Sequence, residues 1–335
     1  MTWNIFCDLT IGAGQSVRSD GSSNDAGTIS GVYSSVLGGP MPVATGTHVN
    51  DSDMSVIVMG QCNTIQGLPP GTTFGCYNSI VNGLCNTTSG YFSAIINGNC
   101  NNSCSSVGLV AQYNVIINGF CNFSYGSFSS IGNGTTNSVS GKYSTIVNGL
   151  GNSAAPDYSY IGAGNTNLIT PNNPGPIGRY NSIFNGDSNT VGGFYNSILN
   201  GKQNCAFGVY GPGAASVCHA TIVNGANNVA CADYTFIGNG GGSVSACGNC
   251  ATAPNAFIGN GIAQIASGKN SFIGGGSGIA VSGNCSATVS GYRHTVSAAW
   301  SIIGGGNKNN ISASQSIIGG GHANNICLLY TSPSP

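Results

Sequence analysis

Glycine recurs every fifteen residues at 119, 134, 149 and 164, and each closes a phrase of the form Ser-x-Ile-x-Asn-Gly or a near variant, such as Thr145-Ile146-Val147-Asn148-Gly149. A fixed period of this length predicts a stack of equivalent coils. One coil cannot bury an apolar face alone, so its stability must come from the coils above and below. The same marker glycine falls at 14, 39, 60, 83, 98, 186, 201, 225, 240, 261, 276, 291, 306 and 321, with gaps of fifteen or of fifteen plus about six to ten. The expected fold is an all-β parallel solenoid of about eighteen coils with a 15-residue repeat. At a strand spacing of roughly 4.8 Å, the rod would be roughly 80–90 Å long.

Residue types repeat by column within the coil. Three residues before the glycine stands Ile, as in Ile80, Ile95, Ile116, Ile131, Ile146 and Ile161. Three residues after it stands Asn, as in Asn86, Asn101, Asn122, Asn137, Asn152 and Asn167. Two residues further on, a small or β-branched apolar residue is common, for example Ile65, Val139 and Ile169. Each coil therefore reads as two short strands and two corners. Gly83, Gly98, Gly119, Gly134, Gly149 and Gly164 mark one corner, where Asn-Gly supplies the positive-φ pair of a tight turn. The Asn column after the glycine is assigned a structural role, its carboxamides bridging backbone groups of adjacent coils.

The residues flanking each Ile compensate each other in size: Ser79 with Val81 and Ser182 with Phe184, but Tyr160 with Gly162, Phe257 with Gly259 and Ile302 with Gly304. Two same-face neighbours sharing a fixed volume suggest a close-packed lumen, which would turn the Ile row outward. The inverse assignment, Ile inward and the compensated pair outward, is also open. Either way an apolar row remains on the outside and needs a partner surface. The uninterrupted stretch from Gly119 to Gly164 is where coils should be most regular and protomers should pack most closely.

The longer gaps insert residues at one corner. The inserted segments that could form binding loops contain Pro69 and Pro70, Asn172, Pro174 and Arg179, and Tyr210 and Pro212. Insertions of this kind project from one edge of a solenoid. Residues 1–55 fit the repeat poorly and are expected to be a cap or attachment region with the first coils, residues 56–326 the repeat domain. Residues 327–335, Cys327-Leu-Leu-Tyr-Thr-Ser-Pro-Ser-Pro335, resemble an in-frame translated sequencing adapter and are expected to be non-native.

Of the fourteen cysteines, Cys62, Cys85, Cys100 and Cys121 each lie two residues after a marker glycine and should stack on successive coils. Packing as small hydrophobes is preferred there over disulfides. Cys205 with Cys218, Cys247 with Cys250 and Cys100 with Cys104 lie at insertions and are the better disulfide candidates. Cys247 and Cys250 have no second pair nearby to complete a zinc site.

Composition excludes several functions. Only 4% of residues are charged and the net charge is −1, so nucleic acid and anionic membranes lack an electrostatic footprint. No apolar window long enough to span a bilayer occurs, so membrane insertion is not expected. Hydrolysis by paired carboxylates needs two acids at a set distance, and the chain has eight Asp and no Glu. Asp51 and Asp53, the close pair, lie in an irregular segment. The histidines are isolated, and His294 occupies the Asn column as a structural substitute. No catalytic residue, cofactor site or metal site is therefore assigned.

Phrases such as Ser271-Phe-Ile-Gly-Gly-Gly276, Ser301-Ile-Ile-Gly-Gly-Gly306 and Gly141-Lys-Tyr-Ser-Thr-Ile-Val-Asn-Gly149 resemble the head repeats of YadA-like trimeric adhesins. They resemble even more the β-roll arrays of phage and large-virus tail fibres, over residues 77–326. The resemblance implies a left-handed β-roll in a homotrimer that attaches a virion to a cell-surface glycan or protein receptor. A secreted bacterial trimeric adhesin head is the alternative, with an ice-binding solenoid and a polysaccharide depolymerase behind it. The fifteen-residue period, the cysteines and the corner insertions depart from the bacterial pattern.

Overall fold

In a computed structural model, the described residues are 49–67, 77–104, 113–171, 179–207, 219–242 and 248–327, with the backbone of two further strands, Thr28–Ile29 and Ser35–Val36. The chain divides into two units, Met1–Asn165 and Thr166–Pro335. Each is a parallel β-solenoid, and no helix occurs among the described residues.

Among the described residues of the first unit, the strands are two residues long, two to a coil. Thr145–Ile146 pairs in register with Ser130–Ile131 on one side and Tyr160–Ile161 on the other. Ser138–Val139 pairs in register with Phe123–Ser124 and Ser153–Ala154 on a second sheet. A third line of single bridges follows the marker glycine, joining Gln61, Leu84, Asn99, Phe120, Thr135, Leu150 and Asn165 in turn. All pairing is between neighbouring coils, so the repeat in sequence is the repeat in space.

The Ile column points inward. Ile80, Ile95, Ile116, Ile131, Ile146 and Ile161 have no exposed surface, whereas Val81, Ile96, Ile117 and Val147 are 41–49% exposed. This reverses the preferred assignment of the size-compensated pair to the lumen. With strands of two residues, one residue per strand faces in, and a row of stacked Ile fills that space. The size compensation belongs to the outer surface: the Cε1 atom of Phe257 lies 3.5 Å from where a Cβ of Gly259 would stand, and Phe272 lies over Gly274 in the same way at 3.3 Å. A large side chain on the outer face thus folds across its small same-face neighbour.

The corners are polar inside. Asn63, Asn86, Asn101, Asn122, Asn137 and Asn152 are buried. Asn122 Nδ2 donates to Gly134 O of the next coil at 2.9 Å, and its Oδ1 accepts the Asn137 N–H at 3.0 Å. The same pair of bonds repeats from Asn86 to Gly98 O and to Asn101 N. A buried amide is stable only when its hydrogen bonds are made, and this ladder makes them at every step. The second-strand column includes polar residues as well as apolar ones: Thr88 donates to Ser103 O at 3.2 Å, and the Ser124 and Ser129 hydroxyls lie 2.6 Å apart.

The Asn-Gly corner departs from a positive-φ pair. Gly119 has φ 118°, but Asn118 has no positive φ, and the left-handed residue is Cys121, two after the glycine, at φ 52°. A solenoid corner bends the chain and does not reverse it, so the hairpin geometry of a primed turn is not required. A second left-handed position lies three residues before each Ile, occupied by Tyr77, Phe92, Tyr113, Phe128, Tyr143 and Tyr158 at φ 44–57°.

The second unit repeats the scheme. Ile183, Ile198, Ile222, Ile237, Ile258 and Ile273 form a buried inner row, continued by Thr288 and Ile303. Asn167, Asn189, Asn204 and Asn228 carry the ladder, with Asn189 donating to Gly201 O at 2.9 Å. Asn249 takes this column in the coil that follows Gly240, past an insertion, and donates to Gly261 O at 3.1 Å. Gln264, Ile279 and His294 take it further on, all buried.

Candidate functional site

Two surface features of the first unit are built by the coil register. The first is an aromatic ladder. Tyr77, Phe92, Tyr113, Phe128, Tyr143 and Tyr158 stack ring on ring with centroids 4.8–5.1 Å apart and planes 4–18° from parallel. Left-handed backbone is uncommon for bulky residues. Here the stacking and the cross-coil bond from Tyr143 N to Ser127 O, 3.0 Å, accompany it. The inner rings use both faces within the stack, so along its length the ladder offers edges and phenol hydroxyls to its surroundings. It is therefore a poor platform for stacking a sugar ring and a good strip for packing against another apolar surface. The recurrence of Tyr or Phe three residues before Ile was present in the sequence and could have identified it.

The second feature is a shallow groove, wide open to solvent, of about 730 Å³ along five coils at the glycine corner. Its walls include Asn82, Asn97, Asn118 and Asn133, with Leu84 and Phe120 beside them. These four Asn side chains are exposed, unlike the buried Asn ladder four residues later. No charged residue lines the groove. It offers a row of carboxamide donors and acceptors at the coil spacing, suited to a neutral extended ligand and not to a polyanion.

The second unit carries a shorter aromatic stack at the same position, Tyr180, Tyr195, His219 and Tyr234, with centroids 4.9–5.1 Å apart. On its outer sheet face Phe236, Phe257 and Phe272 stack in turn. Exposed Lys202 and Asp187 form an ion pair at 3.4 Å. Hydrogen bonding to Ser188, with Lys202 adding to it, holds the Asp187 carboxyl below its ordinary value.

Of the residues expected in binding loops, Pro69, Pro70, Asn172, Pro174, Tyr210 and Pro212 lie outside the described residues. Arg179 is described: it is exposed, and its backbone bridges to Phe194. Cys218 and Cys247, each half of an expected disulfide, also lie outside. Cys205 is a free thiol whose burial, with Cys231 near it, pushes its pKa up to about 11. Cys250 is buried in the second sheet. Cys100 and Cys104 are both free thiols. They belong to different positions of the coil: Cys100 continues the corner column, while Cys104 follows the second strand beside Ser89 and Tyr125.

Asp51 is exposed and Asp53 half-buried; the Asp53 carbonyl accepts the Ser55 hydroxyl at 2.9 Å, and the Asp51 N–H donates to Ile65 O at 2.9 Å as part of the coil ladder. Among the described residues, no three His, Cys, Asp or Glu side chains converge to hold a metal ion. No helix among them is long and apolar enough to cross a membrane. No family model matches the chain, and no curated protein matches it.

Proposed function

We propose that the chain is the rigid body of a homotrimeric attachment fibre, carried on a virion, that holds a glycan or protein receptor of a cell surface by binding and not by catalysis. The observation that carries this reading is the uncharged outer face of the Ile-bearing sheet. In the first unit Val81, Ile96 and Ile117 form an exposed apolar row on consecutive coils, resumed at Val147 past Gly132, and in the second Phe184, Leu199, Val289, Ile302 and Ile317 stand exposed at the same coil position or its same-face neighbour. Soluble monomers rarely leave contiguous apolar strips of this kind in water. A second and third copy of the same repeat present the same spacing, so they match the strip coil by coil. The resemblance to adhesin and tail-fibre repeats supports trimers and attachment.

The carboxamide groove gives this fibre a surface for an uncharged receptor chain. Repetition along the coils makes each contact weak and the whole multivalent. Size-exclusion chromatography with light scattering on the full chain tests the assembly: a trimer mass is expected, and a soluble folded monomer overturns it. A glycan array probed with the labelled protein, beside the variant Asn97→Ala/Asn118→Ala, tests the groove. Binding to neutral glycans that weakens in the variant supports it, and equal binding by both overturns it.

A further inference from the structure

Cys62, Cys85, Cys100 and Cys121 occupy the same corner position on four consecutive coils, all in left-handed backbone with φ 52–56°. The N–H of Cys85 donates to Gln61 O at 2.8 Å, that of Cys100 to Leu84 O at 2.9 Å and that of Cys121 to Asn99 O at 2.9 Å, so the four are held in one column by the backbone ladder. All are free thiols, Cys85 and Cys100 exposed and Cys62 and Cys121 partly so. Equivalent Cα atoms on neighbouring coils of a parallel ladder are about 4.8 Å apart. That falls within the span of about 4.4–6.8 Å that a disulfide bridges. The sulfurs run in a line, and no three of them form a metal-holding cluster.

Cys85 has Cys62 on one side and Cys100 on the other, and Cys121 has Cys100 beside it. Four thiols in a line pair with neighbours without remainder only as Cys62 with Cys85 and Cys100 with Cys121. Those pairs are also the two whose coils carry corner insertions. Adjoining Asn residues of the same coils show the difference: Asn63 to Asn86 spans 23 residues and Asn101 to Asn122 spans 21, but Asn86 to Asn101 only 15.

We propose that this column is a modification site, a redox-set staple in which Cys62 bonds to Cys85 and Cys100 to Cys121 when the protein meets a low-molecular-weight disulfide such as oxidised glutathione. In each pair one thiolate attacks the glutathione disulfide, forming a mixed disulfide and releasing one glutathione, which takes up a proton. The neighbouring thiolate then attacks the cysteine sulfur of that mixed disulfide and releases the second glutathione. Two thiols lose two electrons and two protons to form one protein disulfide, and one glutathione disulfide is reduced to two thiols. Each staple closes the longer loop of an inserted coil, where a cross-link constrains the unfolded chain most. The bare fifteen-residue coil between them is held by its ladder alone. Burial and neighbouring thiols push the Cys85 and Cys121 thiols up, so oxidation should quicken as pH rises.

The test uses the full chain, reduced, freed of reductant and equilibrated in glutathione buffers of rising oxidised fraction. Remaining thiols are then alkylated, and the unreduced digest is mapped by mass spectrometry. Linked peptides Cys62–Cys85 and Cys100–Cys121 are expected, with an unfolding midpoint several degrees above that of the reduced protein. The variant Cys85→Ser/Cys121→Ser should lose both links and the gain in midpoint. Serine suits the position, because Thr136 and Ser188 hold the same left-handed corner elsewhere. A dominant Cys85–Cys100 link, links between chains, or four thiols that stay alkylatable in oxidised buffer would each overturn the proposal.

Discussion

The Asn137 side chain accepts the N–H of Asn152 on its Oδ1 atom at 3.0 Å, one coil and fifteen residues away. The same carboxamide donates to Gly149 O at 2.9 Å. Replacing Asn137 with Leu keeps the volume roughly constant but leaves a buried N–H short of its partner and weakens the satisfaction of a buried carbonyl. Each unsatisfied group costs about 1–3 kcal/mol, so Asn137→Leu should destabilise the first unit by about 2–5 kcal/mol. Urea unfolding followed by circular dichroism measures it. A change below about 0.5 kcal/mol would mean that the ladder is decorative.

Gly119 stands where no side chain fits. Its φ is 118°, and a Cβ there would lie 2.1 Å from Gly134 O and 2.5 Å from Asn122 Nδ2. Backbone strain of about 1–3 kcal/mol and overpacking of similar size should make Gly119→Ala cost about 3 kcal/mol or more. Gly319→Ala, with nothing within 4 Å of the new methyl group, should fall within about 0.5 kcal/mol of the parent. Thermal melts of the two variants side by side give the comparison.

The direction of the Ile-bearing strand is tested by neighbouring substitutions. Ile146 has no exposed surface and Val147 is 44% exposed. Ile146→Ala should cost about 2–5 kcal/mol through lost burial and a cavity. Val147→Ser should leave the stability of a single chain within about 0.5 kcal/mol but weaken self-association. Chemical denaturation reads the first effect and light scattering at falling concentration the second; equal losses of stability in both variants would contradict the assigned faces.

His294 links the second unit to pH. Its Nδ1 accepts the Asn309 N–H at 3.1 Å, in the column that Asn holds elsewhere. Desolvation lowers its pKa below the ordinary 6.5, against the opposing pull of nearby backbone groups. The unfolded chain therefore binds the proton more readily than the folded one. Stability should be full above pH 6.5 and fall as the pH drops from there toward the folded-state value. In His294→Asn that decline should shrink between pH 7 and pH 5, as read from melting midpoints across the range. An unchanged slope would assign the acid sensitivity to another group.

Phe128 and Tyr143 stack with centroids 4.8 Å apart and planes 8° from parallel. A double-mutant cycle to Ala should return a coupling of about 0.5–1.5 kcal/mol. The same cycle on Phe92 and Tyr143, which are separated by two intervening rings, should return a coupling near zero.

The stacking of coils was legible in the sequence because every coil meets an equivalent coil. Ile80, Ile95 and Ile116 had to share a column once the period was known, and so did Cys62, Cys85 and Cys100. The side they face was not legible. Alternation assigns faces when a strand is long enough to show one apolar and one polar set, but Ser79–Ile80 and its equivalents have two residues each, with apolar neighbours on both sides. Volume compensation around Phe257 looked like confinement and is instead a ring lying across Gly259. The aromatic ladder is hidden for a related reason: a Tyr in left-handed backbone runs against local preference, and only the stack with its neighbours makes it recur.

The parallel β-solenoid, its fifteen-residue beat, the columns and the scarcity of charge follow from the residues alone, because a repeat forces like residues to stack whatever the coil's cross-section. The packed coils settled that Ile points inward, and that the marker Asn is exposed in a groove while the Asn four residues later is buried in a ladder. Those outcomes depend on how much room the lumen leaves and on where each corner bends. Both follow from the packing of whole coils and not from any one residue's preference.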